Sequence, residues 1–490
     1  MWFRKNVVTK KENIRTKKHP MIYKHIILFL ILINCGTTVV AQSSRTKLVK
    51  EARELHEAFA AALPGDVIVM QNGVWKDIDI LVKGKGTAEK PITLKAQTPG
   101  EVIISGKSSL RLSGQYLIVD GLFFKDGYSP MGALIRFSNG KEVADYSRVT
   151  NIAVVRFNRP KEDGSEFWVN LRGMYNRVDH CFFCEKVSAG KLITVSRATD
   201  SADYHQIDHN YFKDIPVLGK NGAEAIGIGW SQTSLSDSYT TVEYNLFENC
   251  NGEGELIGLK SGRNIIRHNT IFRSQGSISL RHGNHNLVEN NFIFGDKVRL
   301  TGGIRVMGEQ HIIRNNYVEG LRGARQAIAL IEGWENSPLH GYLQLKDVMI
   351  EGNVLVDNDQ GITVGEYYKR WEQQIMPVSN STIKNNIIVG ADEKSRLIHV
   401  LDEPINMIYA GNVVYNGQSI EKSGIKRENP KLVWKNGFYQ LGRKSADQGN
   451  IIGQPLERTE VGPSWIKERW QELGIEDRPY GSRLNFSKTE

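Results

Sequence analysis

Four residues between positions 251 and 284 have the types and spacing to move protons next to an anion: Glu253, Glu255, Lys260 and Arg281. Residues two apart on a strand share a face, so Glu253 and Glu255 point the same way. Aligned on a repeating phrase, the segments ending in Lys260, Arg281 and Arg305 fall at matching places. On neighbouring parallel strands about 4.8 Å apart these side chains form an outward column of cations. Stacked like charges cost energy, so the column suggests an anionic ligand more than a solvated basic face. One repeat earlier, 221-NGAEAIGIG-229 aligns with 252-GEGELIGLK-260, which brings Asn221 beside Glu253 and Glu224 near Glu255. An amide oxygen and carboxylates are hard donors of the kind Ca²⁺ takes. The competing reading is that the acids only neutralise the basic column.

A cation, a lysine and an arginine on one face suit β-elimination at a uronic acid. The proton α to the carboxylate is too weakly acidic while that group stays negative. Neutralising the carboxylate stabilises the enolate-like intermediate. A lysine set among other cations yields its proton more readily, so Lys260 is the candidate base. Arg281 stabilises charge and donates towards the leaving oxygen, directly or through water, because a guanidinium holds its proton tightly. Two other classes compete. A hydrolase would use Glu253 and Glu255 as paired acids and has no need of the lysine. A non-catalytic glycan-binding solenoid would keep the basic face alone. His205 and His209 are four apart on a strand, not a helix, and read as structural. Cys181 and Cys184 lack a second CxxC partner and read, with Cys250, as buried small hydrophobes.

The elements that must position these groups come from a repeat, apolar-x-x-Asn-x-apolar. It is anchored at Asn210, Asn245, Asn269, Asn291, Asn316, Asn353, Asn386 and Asn412, with Cys181 in an earlier anchor slot. The intervals are 35, 24, 22, 25, 37, 33 and 26 residues. A minimum near 22 residues suits one coil of a parallel β-helix, with longer intervals as loops thrown out from a coil. Corner asparagines can cap backbone groups and bond to one another from coil to coil. An open solenoid end needs a cap. The helical spacing of Leu48, Ala52, Leu55, Phe59 and Ala62 supplies one, stopped by Pro64-Gly65. The expected organisation is a leader over 1–41, a linker and cap helix over 42–66, an all-β parallel β-helix over 67–416, and a polar capping region over 417–490.

The formal charge is +9, but the first 41 residues carry eight Lys or Arg and one acid, so the remainder is near +2. That argues against a nucleic-acid partner. The run Ile26–Ile33 is too short to span a bilayer. With Ala41 as a small residue at the cleavage point, it reads as a secretory signal, with Met21 as an alternative start and Cys35 as a poor lipoprotein site. The expected location is secreted or periplasmic, and the expected state a monomer.

The same segments resemble polysaccharide lyase family 6, which holds alginate lyases and chondroitinase B. The matching phrases are Asn221–Gly229, Glu253 to Lys260, and Leu280–Gly283. Similarity runs from about residue 45 to 466, including PGDVIVMQNGVW and VGPSW. The resemblance implies a right-handed parallel β-helix with Lys260 as base and Arg281 as acid. It also implies a Ca²⁺ held by Asn221, Glu253 and Glu255. On the substrate side it places His282 along the cleft, Arg305 on a sugar carboxylate, and Glu224 beside them. Alginate is the first expected substrate and dermatan sulfate the second; sulfate would need further cations, for which Arg322, Arg325 and Lys369 are the candidates. Ala223 and Gly227 depart from the family's phrase, where a glycine and a larger polar residue are expected.

Overall fold

The computed structural model describes residues 45–160, 164–219, 221–323, 325–367, 372–441 and 453–476. The leader, Cys35 and Lys369 lie outside them. The chain is a parallel β-helix: successive coils each add a strand to three long sheets, and neighbouring coils pair in parallel, with one short antiparallel hairpin, Ser138–Asn139 against Glu142–Asp145, at the end of one sheet. The repeat creates this because each short strand sends alternate residues inward. Val149, Val178, Ile207, Val242, Ile266, Val288, Ile313, Ile350 and Ile383 form one such inward column on sheet A, each in register with the next and fully buried.

The anchoring asparagines form the expected ladder. From Asn210 to Asn412 each side-chain amide donates to the next carbonyl oxygen at 2.9–3.0 Å. The same oxygens accept backbone N–H groups, and Cys181 N–H donates to Asn210 at 3.0 Å to start the row. Replacing Asn291 by alanine would orphan two buried donors of Asn269, which reach its Oδ1 at 3.1 and 3.0 Å. Each orphan costs about 1–3 kcal/mol, so the Asn291→Ala variant is expected to lose roughly 2–6 kcal/mol in denaturant unfolding. A loss within about 0.5 kcal/mol, typical of an exposed site, would mean that the ladder is ornamental.

A second set of corners was not foreseen. Tyr116, Tyr146, Tyr175, Tyr204 and Tyr239 all take left-handed backbone, φ 51–56°. Bulky residues avoid that region. Here the rings stack successively at 4.8–5.0 Å, which offsets part of the strain.

The N-terminal cap is shorter than its pattern suggested. Thr46–Val49 is a strand that extends sheet A, and the helix occupies Ala52–Ala60 with Leu55, Ala58 and Phe59 buried. Leu48 is therefore not on the helix, because the sheet edge takes it first. The three sheets have different outer faces. Sheet A carries ion pairs between coils, such as Arg177–Asp208 at 2.6 Å and Arg267–Glu243 at 2.6 Å. Sheet B, the stack that includes Phe182–Cys184 and Phe292–Phe294, is apolar outside, and the C-terminal segment covers it with Leu456, Val461, Ile466, Trp470 and Leu473. Sheet C holds the strands Glu255–Lys260, Ser277–His282 and Ile304–Val306, and its outer face bears the candidate site. Among the described residues, no helix is long and apolar enough to cross a membrane.

Candidate active site

The register on sheet C corrects the simple column of cations. A bulge between Leu259 and Lys260 sets Lys260 opposite His282, while Arg305 lies opposite Ser279, which in turn faces Gly258. Lys260 and Arg281 therefore share the outer face, and Arg305 stands two residues earlier along its strand. The cations are also not free of acids. Lys260 Nζ is 3.8 Å from Glu224 Oε1, and Arg305 Nη1 donates to Glu255 Oε1 at 3.3 Å.

Two glycines make room for the charged side chains of the site. A Cβ on Gly258 would stand 3.1 Å from Glu255 Oε2 and 3.5 Å from Glu224 Oε1, so these carboxylates flank it. A Cβ on Gly227 would stand 2.5 Å from Lys191 Cδ and Nζ. Lys191, which sequence reasoning missed, thus fills the space left by the small residue at 227. The departure at Gly227 was the signal for it. The Lys191 ammonium is nearly buried, 3.0 Å from Glu224 Oε1 and 5.0 Å over the Trp230 ring. Burial pushes the Glu224 carboxyl up, but Lys191, a hydrogen bond from Glu253 and Lys260 together outweigh it and hold Glu224 ionised.

Asn221, Glu253, Glu255, Arg305, Arg325 and Tyr342 line one cavity of about 440 Å³. Glu253 accepts backbone hydrogen bonds from Gly222 and Ala223 at 3.1 and 3.2 Å. Burial first, then the charge of Glu224, pushes its carboxyl up to about 8. Such crowding marks a place where a cation would be welcome. Among the described residues, neither oxygen of buried Glu224 accepts a well-aligned hydrogen bond. Asn221, Glu253 and Glu255 therefore fit a hard divalent cation in donor type and in sharing one cavity. They are not already arranged as a cage: among the described residues no three His, Cys, Asp or Glu side chains form a ready metal cluster. Arg305 moreover holds one Glu255 oxygen.

His282 is buried rather than lining an open cleft. Burial and the charges of Arg281 and Lys260 push its imidazole down to about 3, so it is neutral. Among the described residues its Nδ1 has no hydrogen-bond partner, and Nε2 lies 3.5 Å from Ser231 Oγ. Arg281 does not project freely into solvent. Its Nη1 donates to Gly341 O at 2.6 Å, its Nη2 to His340 O at 3.2 Å, and the guanidinium lies 4.0 Å over the Tyr342 ring. Residues 340–342 belong to the long interval after Asn316, in which Gly333–Trp334 pairs with Gln374–Met376 from the next coil. This flap reaches across the cleft, where Ser234 Oγ donates to Leu339 O at 3.5 Å. The length of the 317–353 interval marks a loop able to block one end of the cleft, but the residues by which it reaches Arg281 were not legible in it. Of the other cations proposed for the cleft, Arg322 pairs with Asp357 at 2.7 Å and Asp359 at 3.6 Å, while Arg325 reaches Gly254 O at 3.3 Å. His205 and the three cysteines are buried, as expected of structural residues.

Fold and site together define a β-helix with a charged cleft on one sheet. The Chondroitinase B family model matches residues 49–444, and the chain belongs to that family. Solved structures agree. The polysaccharide lyase family 6 alginate lyase AlyGC is 39% identical with a TM-score of 0.82, over 86% of this chain and 58% of that one. This chain therefore spans little more than half of AlyGC. The family 6 lyase Pedsa3628 from Pseudopedobacter saltans is 32% identical with a TM-score of 0.71, over 85% of this chain and 99% of that one. A mannuronic acid specific family 6 lyase from human gut microbiota is 26% identical with a TM-score of 0.73, over 89% of this chain and all of that one. No curated protein sequence matches the chain.

Proposed function

We propose that this protein is an exported lyase that cleaves alginate by β-elimination and leaves unsaturated oligosaccharides. The observation that carries the reading is the placing of Lys260 and Arg281 on adjacent strands of one face, with Lys260 beside Glu224 and with Arg305 in the cavity that holds Glu253 and Glu255. Arg305 engages the uronate carboxylate, and Lys260 takes the α proton. Arg281 offsets charge on the departing oxygen. Asn221, Glu253 and Glu255 would hold Ca²⁺, which when bound neutralises the uronate and so acidifies its α proton. Alginate is preferred to dermatan sulfate because Arg322 is committed to Asp357 and Asp359. That removes one of the cations a sulfate would need, and the alginate lyases among the solved relatives point the same way. Comparing unsaturated product from alginate and dermatan sulfate tests this; turnover of the sulfated polymer alone would reverse the choice.

The flap over Arg281 supports action from a chain end. The expected result is that the shortest products accumulate from the first time points, read by product-size analysis. Early release of long and intermediate oligomers would show that the chain threads past the flap and is cut internally.

A further inference from the structure

The chemistry of the cleft depends on where two arginines point, and one aromatic residue touches both. Arg281 lies 4.0 Å over the face of Tyr342, and Arg305 Nη2 donates to the Tyr342 hydroxyl at 3.1 Å. Tyr342 itself is firmly seated. It is 5% exposed and packs on Met307, Ala329 and Ile331. Its carbonyl accepts from Trp334 N–H at 2.7 Å, and the two rings lie 5.3 Å apart. A long guanidinium side chain has many rotamers to lose, so a fixed partner settles its geometry before substrate arrives. We propose that Tyr342 is the positioning residue of this cleft: its ring sets Arg281 for the leaving oxygen, and its hydroxyl sets Arg305 for the uronate carboxylate. The proposal rests on the lyase reading of these two arginines.

The two contacts can be removed separately. Tyr342→Phe keeps the ring beneath Arg281 and deletes the hydroxyl that holds Arg305. Its expected effect is a rise in KM of about tenfold, as for a lost hydrogen bond to a charged group, with kcat nearly unchanged. Tyr342→Leu removes both contacts, and kcat should fall as well, by about tenfold or more. Melting temperatures of parent and variants are measured alongside. A purely structural role would lower stability and both kinetic constants together, without the split, and would overturn the proposal. So would two variants as active as the parent. Calorimetric binding of a saturated alginate oligomer reads the Arg305 half independently of turnover. There the phenylalanine variant should bind about tenfold more weakly, and equal affinity would overturn that half. A parent that neither turns over nor binds the oligomer would sink the lyase reading itself, and the proposal with it.

Discussion

Replacing Lys260 by methionine is expected to lower turnover by about 10²–10⁴, the range for loss of a positioned general base, with folding intact. Lys260 ends the strand Glu255–Lys260, where alternation with inward Leu259 puts it on the outer face, and the register shift beyond Leu259 sets it opposite His282 on the strand that also carries Arg281. Its side chain is 18% exposed and near Glu224, so it is held rather than free to sweep solvent. Methionine preserves the apolar stem and removes the proton acceptor. The loss should appear in kcat and in single-turnover rates, with binding of an oligomer retained. A methionine variant as fast as the parent would remove Lys260 from the chemistry. The base would then be sought at His282, which is neutral and opposite it in register.

Chelation is expected to have the second large effect. Dialysis against EDTA should reduce activity at least tenfold, as loss of a Lewis-acid contribution of several kcal/mol requires, and Ca²⁺ should restore it. Equilibrium dialysis should find one Ca²⁺, lost in the Glu253→Gln variant. The carboxylates also predict a pH dependence of stability. Burial and Glu224 raise the Glu253 carboxyl to about 8 in the folded chain without a cation. A carboxyl raised above its unfolded value favours folding below the ordinary carboxylate range, and that contribution is lost as pH rises towards 8. Ca²⁺ needs the ionised form, so the rise in melting temperature on adding it should be larger at pH 8 than at pH 5. Full activity in chelator, with no Ca²⁺-dependent shift in melting, would mean that Arg305 and Arg325 neutralise the uronate themselves.

How much of this was legible in the sequence depends on range. The coils were legible because each asparagine anchor and its flanking apolar pair repeat one local solution, and the ladder from Asn210 to Asn412 follows from them. The acids and cations were placed on one face by the same alignment, since period-two alternation determines face. The register was not fixed to the residue. The bulge at Leu259 moved Lys260 opposite His282, and no local pattern announces an inserted residue. Contacts from outside the repeat were invisible. Tyr342 comes from a long loop, and only folding brings it against Arg281. Lys191 was half visible, because Gly227 left a space without saying what fills it. The cap helix lost Leu48 to a strand because pairing with Val69 along the sheet edge competes with helical spacing.

The most direct test of elimination is the ultraviolet absorbance of the conjugated unsaturated uronate while the purified protein acts on alginate, with dermatan sulfate and pectate alongside and Lys260→Met as control. The account predicts a steady rise on alginate that the variant abolishes. New reducing ends without that absorbance would mean hydrolysis and would contradict the account; neither signal on any of the three polymers would leave a glycan-binding solenoid.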